Sequence, residues 1–169
     1  MASRTENLLD WLRDAHAMEQ QAEQMLSAQS KRLEHYPQLK NRIEQHIDET
    51  RGQKEKLEQR ISQLGSSPST LKDIGGKLMA FGQAVGGMAM SDEVVKGSIS
   101  GYVFEHIEIA TYTTIIAAAK AAGDHETQAM AESILPQEEA MAKWLLEHLP
   151  EITTAFMERS EMPGETAKK

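Results

Sequence analysis

Apolar residues recur every three or four positions along four long segments of the chain, which is the period of one face of an α-helix. Only three Phe, three Tyr and two Trp occur, and this composition favours helices over strands. The sequence therefore predicts an all-α fold. In the first segment the apolar stripe is Leu8, Leu12, Ala15, Ala22, Leu26 and Leu33.

Residues typical of helix termini bound the four segments. The first helix is predicted over residues 5–34, the second over 37–64 and the third over 91–122, and the fourth follows residue 124 with a kink at Pro136. A capping box, a proline at the first helical position, a glycine stop and side-chain caps mark these bounds. The boundary residues are Ser3 with Glu6, Pro37, Gly65, Ser91 and Asp124.

The lengths of the connections predict the topology. Helices one and two form one hairpin and helices three and four another, while more than twenty residues join the hairpins. Thr70 with Asp73 predicts a short helix over residues 70–85 in that connection. The prediction is a ferritin-like antiparallel four-helix bundle with an additional crossover helix between helices two and three. We expect residues 1–160 to form a single domain and residues 161–169 to form a polar C-terminal tail.

Charge and cysteine content exclude several classes of function. The net charge of −8 and the lack of a basic cluster argue against a nucleic-acid partner. The lack of cysteine excludes disulfides, thiolate metal sites and cysteine catalysis. The charged N-terminal turns do not resemble a signal peptide. The most apolar stretch, residues 107–119, is interrupted by Glu108 and is too short to span a bilayer. We expect a cytoplasmic protein without membrane insertion.

Five glutamates interrupt the apolar stripes, at least one on each long helix and all near the helix midpoints. A single glutamate in such a stripe is more often half-buried beside Lys or Arg. Five at matching depth need compensating cations, because an ionised carboxylate buried alone is strongly destabilising. Carboxylate-rich ligation suits a pair of iron or manganese ions. The predicted metal ligands are Glu19, Glu49, Glu105, Glu108 and Glu138.

Histidines are less informative than the glutamates. His46 lies on the inward face of helix two, three residues before Glu49, where an outer-shell or hydrogen-bonded core role is the commoner one. His16 and Glu19 repeat that spacing, but His16 falls off the apolar stripe and is expected to be solvated.

Four segments carry a resemblance to a known family: LLDWLRDAHAMEQQAEQML, IEQHIDETRGQKEKLEQ, SDEVVKGSISGYVFEHIEIATYTTIIAAAKAAGD and EEAMAKWL. They resemble the bacterial YciE/YciF stress proteins, the DUF892 family, from about residue 5 to 160. The DWLRDAHAME and YVFEHIEIA blocks are most similar to the YciE branch. The resemblance implies a ferritin-like, rubrerythrin-related bundle, commonly a homodimer, in the bacterial cytoplasm and associated with stress responses.

The wider ferritin-like pattern implies a ligand set that this chain matches in part. A glutamate on the first helix, a Glu-x-x-Glu on the third and a glutamate on the fourth are present. The histidine one turn after Glu49 is replaced by Gln53, and Met141 and Ala142 stand where a histidine would follow Glu138. Gln53 offers a neutral amide oxygen, and His46 is a possible replacement ligand.

These observations leave three functions open. The first is a stress-response protein with a dinuclear iron or manganese centre and no organic cofactor. If enzymatic, it would be an oxidoreductase acting on peroxide or oxygen with an unidentified electron donor. The second is a non-enzymatic structural or interaction bundle with a degenerate metal site. The third, an iron store, is the least favoured, because no sign of a 24-subunit cage is recognisable.

Overall fold

Four long helices make up the regular structure of residues 3–68, 91–164 and 167, the part of the chain that the computed structural model describes. They are α1 (Arg4–Ser30), α2 (Pro37–Gln63), α3 (Glu93–Ala122) and α4 (His125–Ser160). The predicted all-α bundle is confirmed. The predicted crossover helix over residues 70–85 lies outside the described residues.

Local sequence signals fix most helix ends. The Ser3 hydroxyl accepts a hydrogen bond from the Glu6 amide at 3.1 Å, and the Glu6 carboxylate accepts one from the Ser3 amide at 2.6 Å, so the predicted capping box is present. Pro37 opens α2. The Asp124 carboxylate accepts a hydrogen bond from the Thr127 amide at 3.0 Å and caps α4.

Two predicted details of the helices differ from the structure. α1 ends at Ser30 rather than at residue 34. The residue preceding α3 is Asp92 rather than Ser91, and its side chain makes no capping hydrogen bond. Pro136 lies within α4, where the kink stays a prediction. Gly65 has a left-handed φ of 76° just beyond α2, as its predicted role as a helix stop requires.

Contacts between helices establish their directions. In the α1/α2 hairpin, the Ser30 hydroxyl donates to Glu44 at 2.9 Å and the Lys54 ammonium donates to Glu23 at 2.7 Å, so the two helices are antiparallel. α1 is also antiparallel to α3, because the Arg4 guanidinium, at the start of α1, donates to the Ala121 carbonyl at 2.8 Å. α2 therefore ends, and α3 begins, at opposite ends of the bundle. This is the connectivity of ferritin-like folds.

The apolar core consists of two clusters separated by a polar layer. One lies towards the start of α1 and includes Leu8, Leu12, Leu57, Ile61 and Ile115. The other lies towards the start of α2 and includes Leu39, Ile43, Met141, Leu145 and Ile152. Burial of each such side chain contributes about 1.5–3 kcal/mol, so these clusters stabilise the bundle and close both ends of the layer between them. Within the described ranges, no helix is long and apolar enough to cross a membrane.

Candidate metal centre

Four side chains from three helices converge in the polar layer. α2 supplies His46, α3 supplies Glu105 and Glu108, and α4 supplies Glu138. One potential ligand atom from each lies within 4.8 Å of the others, and each residue is at most 2% exposed. Glu105 and Glu108 reach the same point because residues three apart share a helix face. The arrangement offers one imidazole nitrogen and several carboxylate oxygens to a single point.

His46 connects this group to a fifth carboxylate. Its Nε2 lies 3.2 Å from Glu105 Oε2 and 3.4 Å from Glu138 Oε2, while its Nδ1 lies 2.7 Å from Glu49 Oε2. Burial alone would lower the pKa of His46, but hydrogen bonds to these three carboxylates outweigh it and raise the pKa well above its usual value. The ring is thus held between the buried group and Glu49.

Glu49 lies outside the converging group, although it belongs to the predicted ligand set. Its side chain is 20% exposed and accepts hydrogen bonds from Arg42 at 3.3 Å and Gln45 at 3.2 Å, besides its contact with His46. Burial would raise the pKa of Glu49, but His46 and Arg42 outweigh that effect and lower it. Glu49 therefore contacts the group through His46, which itself takes an inward position.

Glu19 lies at the other side of the layer, fully buried on α1. The Tyr112 hydroxyl donates a hydrogen bond to Glu19 Oε1 at 2.5 Å, whereas Glu19 Oε2 has no hydrogen-bond partner in the described chain. Tyr112 stands one turn beyond Glu108 on α3. Sequence reasoning missed this residue, although its i+4 spacing from Glu108 placed it on the same helix face.

Gln53 is fully buried on α2, two turns after His46. Its Nε2 donates a hydrogen bond to Gln137 Oε1 at 3.0 Å, and this contact orients the amide. Its Oε1 is left without a hydrogen-bond partner among the described residues. Gln53 thus adds a neutral oxygen acceptor to the polar layer.

The electrostatics of the layer are those of carboxylates held out of water. Burial raises the pKa of Glu19 and of Glu108 well above the usual value, and the neighbouring negative charges raise it further. Burial likewise raises the pKa of Glu105 to about 7. Both oxygens of Glu108 and of Glu138 lack a well-formed hydrogen bond in the described part of the chain.

Unpartnered buried acceptors destabilise a fold by about 1–3 kcal/mol each, so a native structure seldom retains several together. A divalent or trivalent cation would bind these oxygens directly and offset their mutual repulsion. The oxygen-rich donor set with one imidazole fits iron or manganese ions. The residues present therefore fit a bound metal ion of the predicted kind.

One predicted environment is wrong. His16, expected to be solvated, is 2% exposed, and its Nε2 lies 2.7 Å from Glu58 Oε1. Glu58 belongs to α2, whose packing against α1 covers the ring. The stripe of α1 alone contains no information about this partner from the other helix of the hairpin.

Comparison with known proteins places the bundle in a wider group of structures. A protein from Xanthomonas campestris shares 42% identity, with 95% of this chain and 100% of that chain covered and a TM-score of 0.81. The E. coli stress protein YciF is similar at 18% identity, 89% and 96% coverage, and a TM-score of 0.74. A dodecameric thioferritin, the bacterioferritin-related protein of Bacteroides fragilis, is similar at 20% identity, 94% and 92% coverage, and a TM-score of 0.73.

The last two likenesses show the fold alone, and they agree with a ferritin-like bundle. A family model described as "Domain of unknown function (DUF892)" matches residues 3–158, nearly the whole chain. The chain belongs to the DUF892 family.

Proposed function

We propose that this chain is a stress-response protein that binds a dinuclear iron or manganese centre in the middle of its helical bundle. The observation that carries the proposal is the convergence of His46, Glu105, Glu108 and Glu138, with ligand atoms within 4.8 Å of one another and unpartnered oxygens in a buried layer. Glu19 and Gln53 each have a buried oxygen without a hydrogen-bond partner among the described residues and would supply donors to a second ion.

The residues around the centre would each have a defined task. His46 would bind metal through Nε2, and Glu49 would orient its ring by accepting a hydrogen bond from Nδ1. Tyr112 would hold Glu19 in place. The apolar clusters on either side would exclude water. Bound iron or manganese would supply the electron transfer that reduction of peroxide or oxygen requires.

The biological role within this proposal is oxidative-stress protection in the bacterial cytoplasm. Its support is the stress-protein name of E. coli YciF, a protein of similar fold. Membership of the YciE branch is part of the proposal and rests on the YVFEHIEIA and DWLRDAHAME blocks. A homodimer is part of it as well and rests on the family resemblance.

Elemental analysis tests the metal proposal. Protein produced with iron or manganese supplied should retain up to two ions per chain. The variant Glu105→Gln combined with Glu138→Gln should retain none, because it removes two anionic ligands while keeping the side-chain volume. Glu147→Gln is the matched control, since that glutamate is exposed on the same helix as Glu138 and should leave metal content unchanged. Metal-free wild-type protein from metal-replete cells would overturn the proposal.

A second candidate is a non-enzymatic structural bundle without a functional metal. The raised pKa values of Glu19 and Glu108 favour it, because carboxyl groups that stay protonated can be buried without an ion. The two candidates differ in their response to a chelator. An unchanged Tm after chelation, together with no peroxide turnover, would favour the structural bundle. A lowered Tm would favour the metal protein.

A further inference from the structure

A stripe of side chains without charged groups of the Asp, Glu, Lys or Arg type runs along the outer surface of α3. Between Lys96 and Lys120, over about six helical turns, the sequence contains no Asp, Lys or Arg and only two glutamates. Both of them, Glu105 and Glu108, are buried on the inner side of the helix. The exposed residues of the outer surface recur with alternating steps of four and three positions. They are Ile99, Val103, His106, Ala110, Thr113 and Ala117, which we call the outer stripe.

Apolar groups dominate the surface of the outer stripe. Ile99 is 47% exposed and Val103 is 41% exposed, so two large apolar side chains face outward. The Thr113 hydroxyl donates to the Ile109 carbonyl at 2.7 Å and thus has its hydrogen-bond partner within α3. Contact with another apolar surface would therefore bury apolar area at little cost in lost hydrogen bonds with water.

The spacing of the outer stripe suits a helical partner. Steps of four and three positions average 3.5, the period at which one α-helix packs along a second helix. α3 already packs its inner face into the core, with Tyr112 and Ile115 fully buried. A helix at the surface of a bundle needs only one apolar face, so the outer stripe is a second one.

Side-chain size changes along the outer stripe in a way that makes it complementary to itself. The three members nearest the start of α3 are larger than the three nearest its end. An antiparallel second copy, with the twofold axis level with residue 108, would place each large side chain opposite a small one, whereas a parallel copy would place large against large. The antiparallel pairs are Ile99 with Ala117, Val103 with Thr113, and His106 with Ala110.

Charge and area also favour a second copy as the occupant. The chain has a net charge of −8, so two copies approach most easily through a surface without carboxylates. The outer stripe is about 27 Å long. Beside it lies a groove between α1 and α3, lined by Trp11, Val103 and Thr114, which widens the surface to about 20 Å because packed helices lie about 8–10 Å apart. Two such surfaces would bury on the order of 1,000 Å², the area that a specific interface needs.

We infer that two copies of this chain associate through the outer stripe, with their α3 helices antiparallel. This adds a surface, an orientation and a register to the homodimer of the proposed function, on which the inference rests. Glu105 and Glu108 lie on the opposite side of α3, so the two candidate metal centres would lie on either side of the paired helices.

Sedimentation of the full-length protein tests the surface. The wild type should sediment as a dimer. Val103→Lys should weaken association about a hundredfold or more, because it places an unpaired charge in the interface. Met157→Lys is the matched control: Met157 is 54% exposed on α4, outside the outer stripe, and its replacement should leave association unchanged. Circular-dichroism melting establishes that each variant is folded.

A second substitution tests the register. Val103→Lys combined with Thr113→Glu should restore association to within about tenfold of the wild type, because each new ammonium group would face the new carboxylate of the other copy. The two positions are about 15 Å apart along one helix, too far to pair within a single copy. In a parallel pair like charges would face each other, so association that stays weak would overturn the antiparallel register.

The outcomes separate this inference from the proposed function. A dimer that Val103→Lys leaves intact would overturn the inference while the homodimer stands. A wild-type monomer at every concentration would overturn both, and elemental analysis of the same sample tests the metal centre independently. A monomer that binds vesicles of phosphatidylcholine and phosphatidylglycerol, and loses that binding in Val103→Lys, would assign the outer stripe to a membrane surface and overturn the inference as well.

Discussion

Two polar regions join α2 to α4, one of them with a contribution from α3, and they differ in how their charges are satisfied. At the end of α2, Arg60 donates to Thr127 at 2.7 Å and to Asp124 at 2.8 Å, and it also contacts Glu126. We call these residues the Arg60 cluster. Asp124 further accepts from the Thr127 hydroxyl at 2.6 Å. Four turns along α2, the His46 group gathers three carboxylates around one imidazole and leaves several oxygens unpartnered.

The difference teaches which buried polar groups indicate a binding site. The Arg60 cluster supplies its own donors and caps α4, so its role is complete within the chain. The central carboxylates have too few donors nearby, and their negative charges repel one another. Charged side chains occur in both regions, whereas several buried acceptors without a hydrogen-bond partner occur in the described centre and support the proposed cation.

The largest expected effect is an opposite response of the two regions to pH in metal-free protein. The raised pKa values of Glu105, about 7, and of His46 mean that folded protein holds protons that unfolded protein releases as the pH rises. Stability from the centre should therefore fall between about pH 5 and 8, for Glu105 by on the order of 3 kcal/mol. Melting temperature measured across that range should decrease by about 5 °C or more.

The Arg60 cluster should respond in the other direction. Burial would raise the pKa of Asp124, but hydrogen bonds from Thr127 and Arg60 outweigh it and lower the pKa. The stability that Asp124 contributes is lost only as the pH falls below about 4. Bound metal should also flatten the decline above pH 5, because ligation keeps the carboxylates ionised. A melting temperature that rises from pH 5 to 8 in metal-free protein would contradict this account.

The second effect concerns Arg60→Ala, which should lower the free energy of unfolding by about 2 kcal/mol, because the Thr127 hydroxyl and the Asp124 carboxylate each lose the hydrogen bond that Arg60 donates. Metal content should not change. Arg51→Ala is the matched control on the same helix: Arg51 pairs with Glu23 and Asp48 at the surface, and such pairs contribute little. Urea unfolding with elemental analysis measures both quantities. Equal losses of unfolding free energy in the two variants would mean that the Arg60 cluster stabilises the fold no more than the surface pairs of Arg51 do.

The smallest effect is that of Glu49→Ala, which should weaken metal binding about tenfold without reducing the number of ions, because it frees the His46 ring to rotate. Gln45→Ala removes only a surface contact of Glu49 and should bind metal as the wild type does. Affinity is measured by competition with a chelator. Loss of an ion from Glu49→Ala would instead mean that Glu49 binds metal directly.

Local signals in the sequence predicted much of the fold. Ser3, Pro37, Gly65 and Asp124 act within a few residues of themselves, so their roles follow from the chain alone. The end of α1 was less predictable: Leu33 continues the apolar spacing and is buried, yet it lies beyond the last helical residue. The apolar spacing indicates which residues are buried, and burial continues beyond the last residue of α1.

The centre was predictable only in outline. Matching depth placed glutamates from α1, α3 and α4 in one layer, since an antiparallel bundle aligns helix midpoints. It selected Glu49 as the ligand from α2, whereas His46, three residues earlier, lies in the converging group. Arg42, on the same helix, pairs with Glu49 on the outer side, whereas Glu105 and Glu138 contact His46 on the inner side. Likewise, Gln137 and Tyr112 have roles only because of partners on other helices.

The connectivity of the bundle has a consequence for assembly. The α1/α2 hairpin contributes Glu19, His46 and Gln53, while the α3/α4 hairpin contributes Glu105, Glu108 and Glu138. Neither hairpin supplies all of these side chains, so the candidate centre forms only when the two hairpins dock. Docking brings together segments that are distant in sequence. A bound ion pair would connect the α1/α2 hairpin to the α3/α4 hairpin. Its removal should loosen the docking of the hairpins before it affects either hairpin alone.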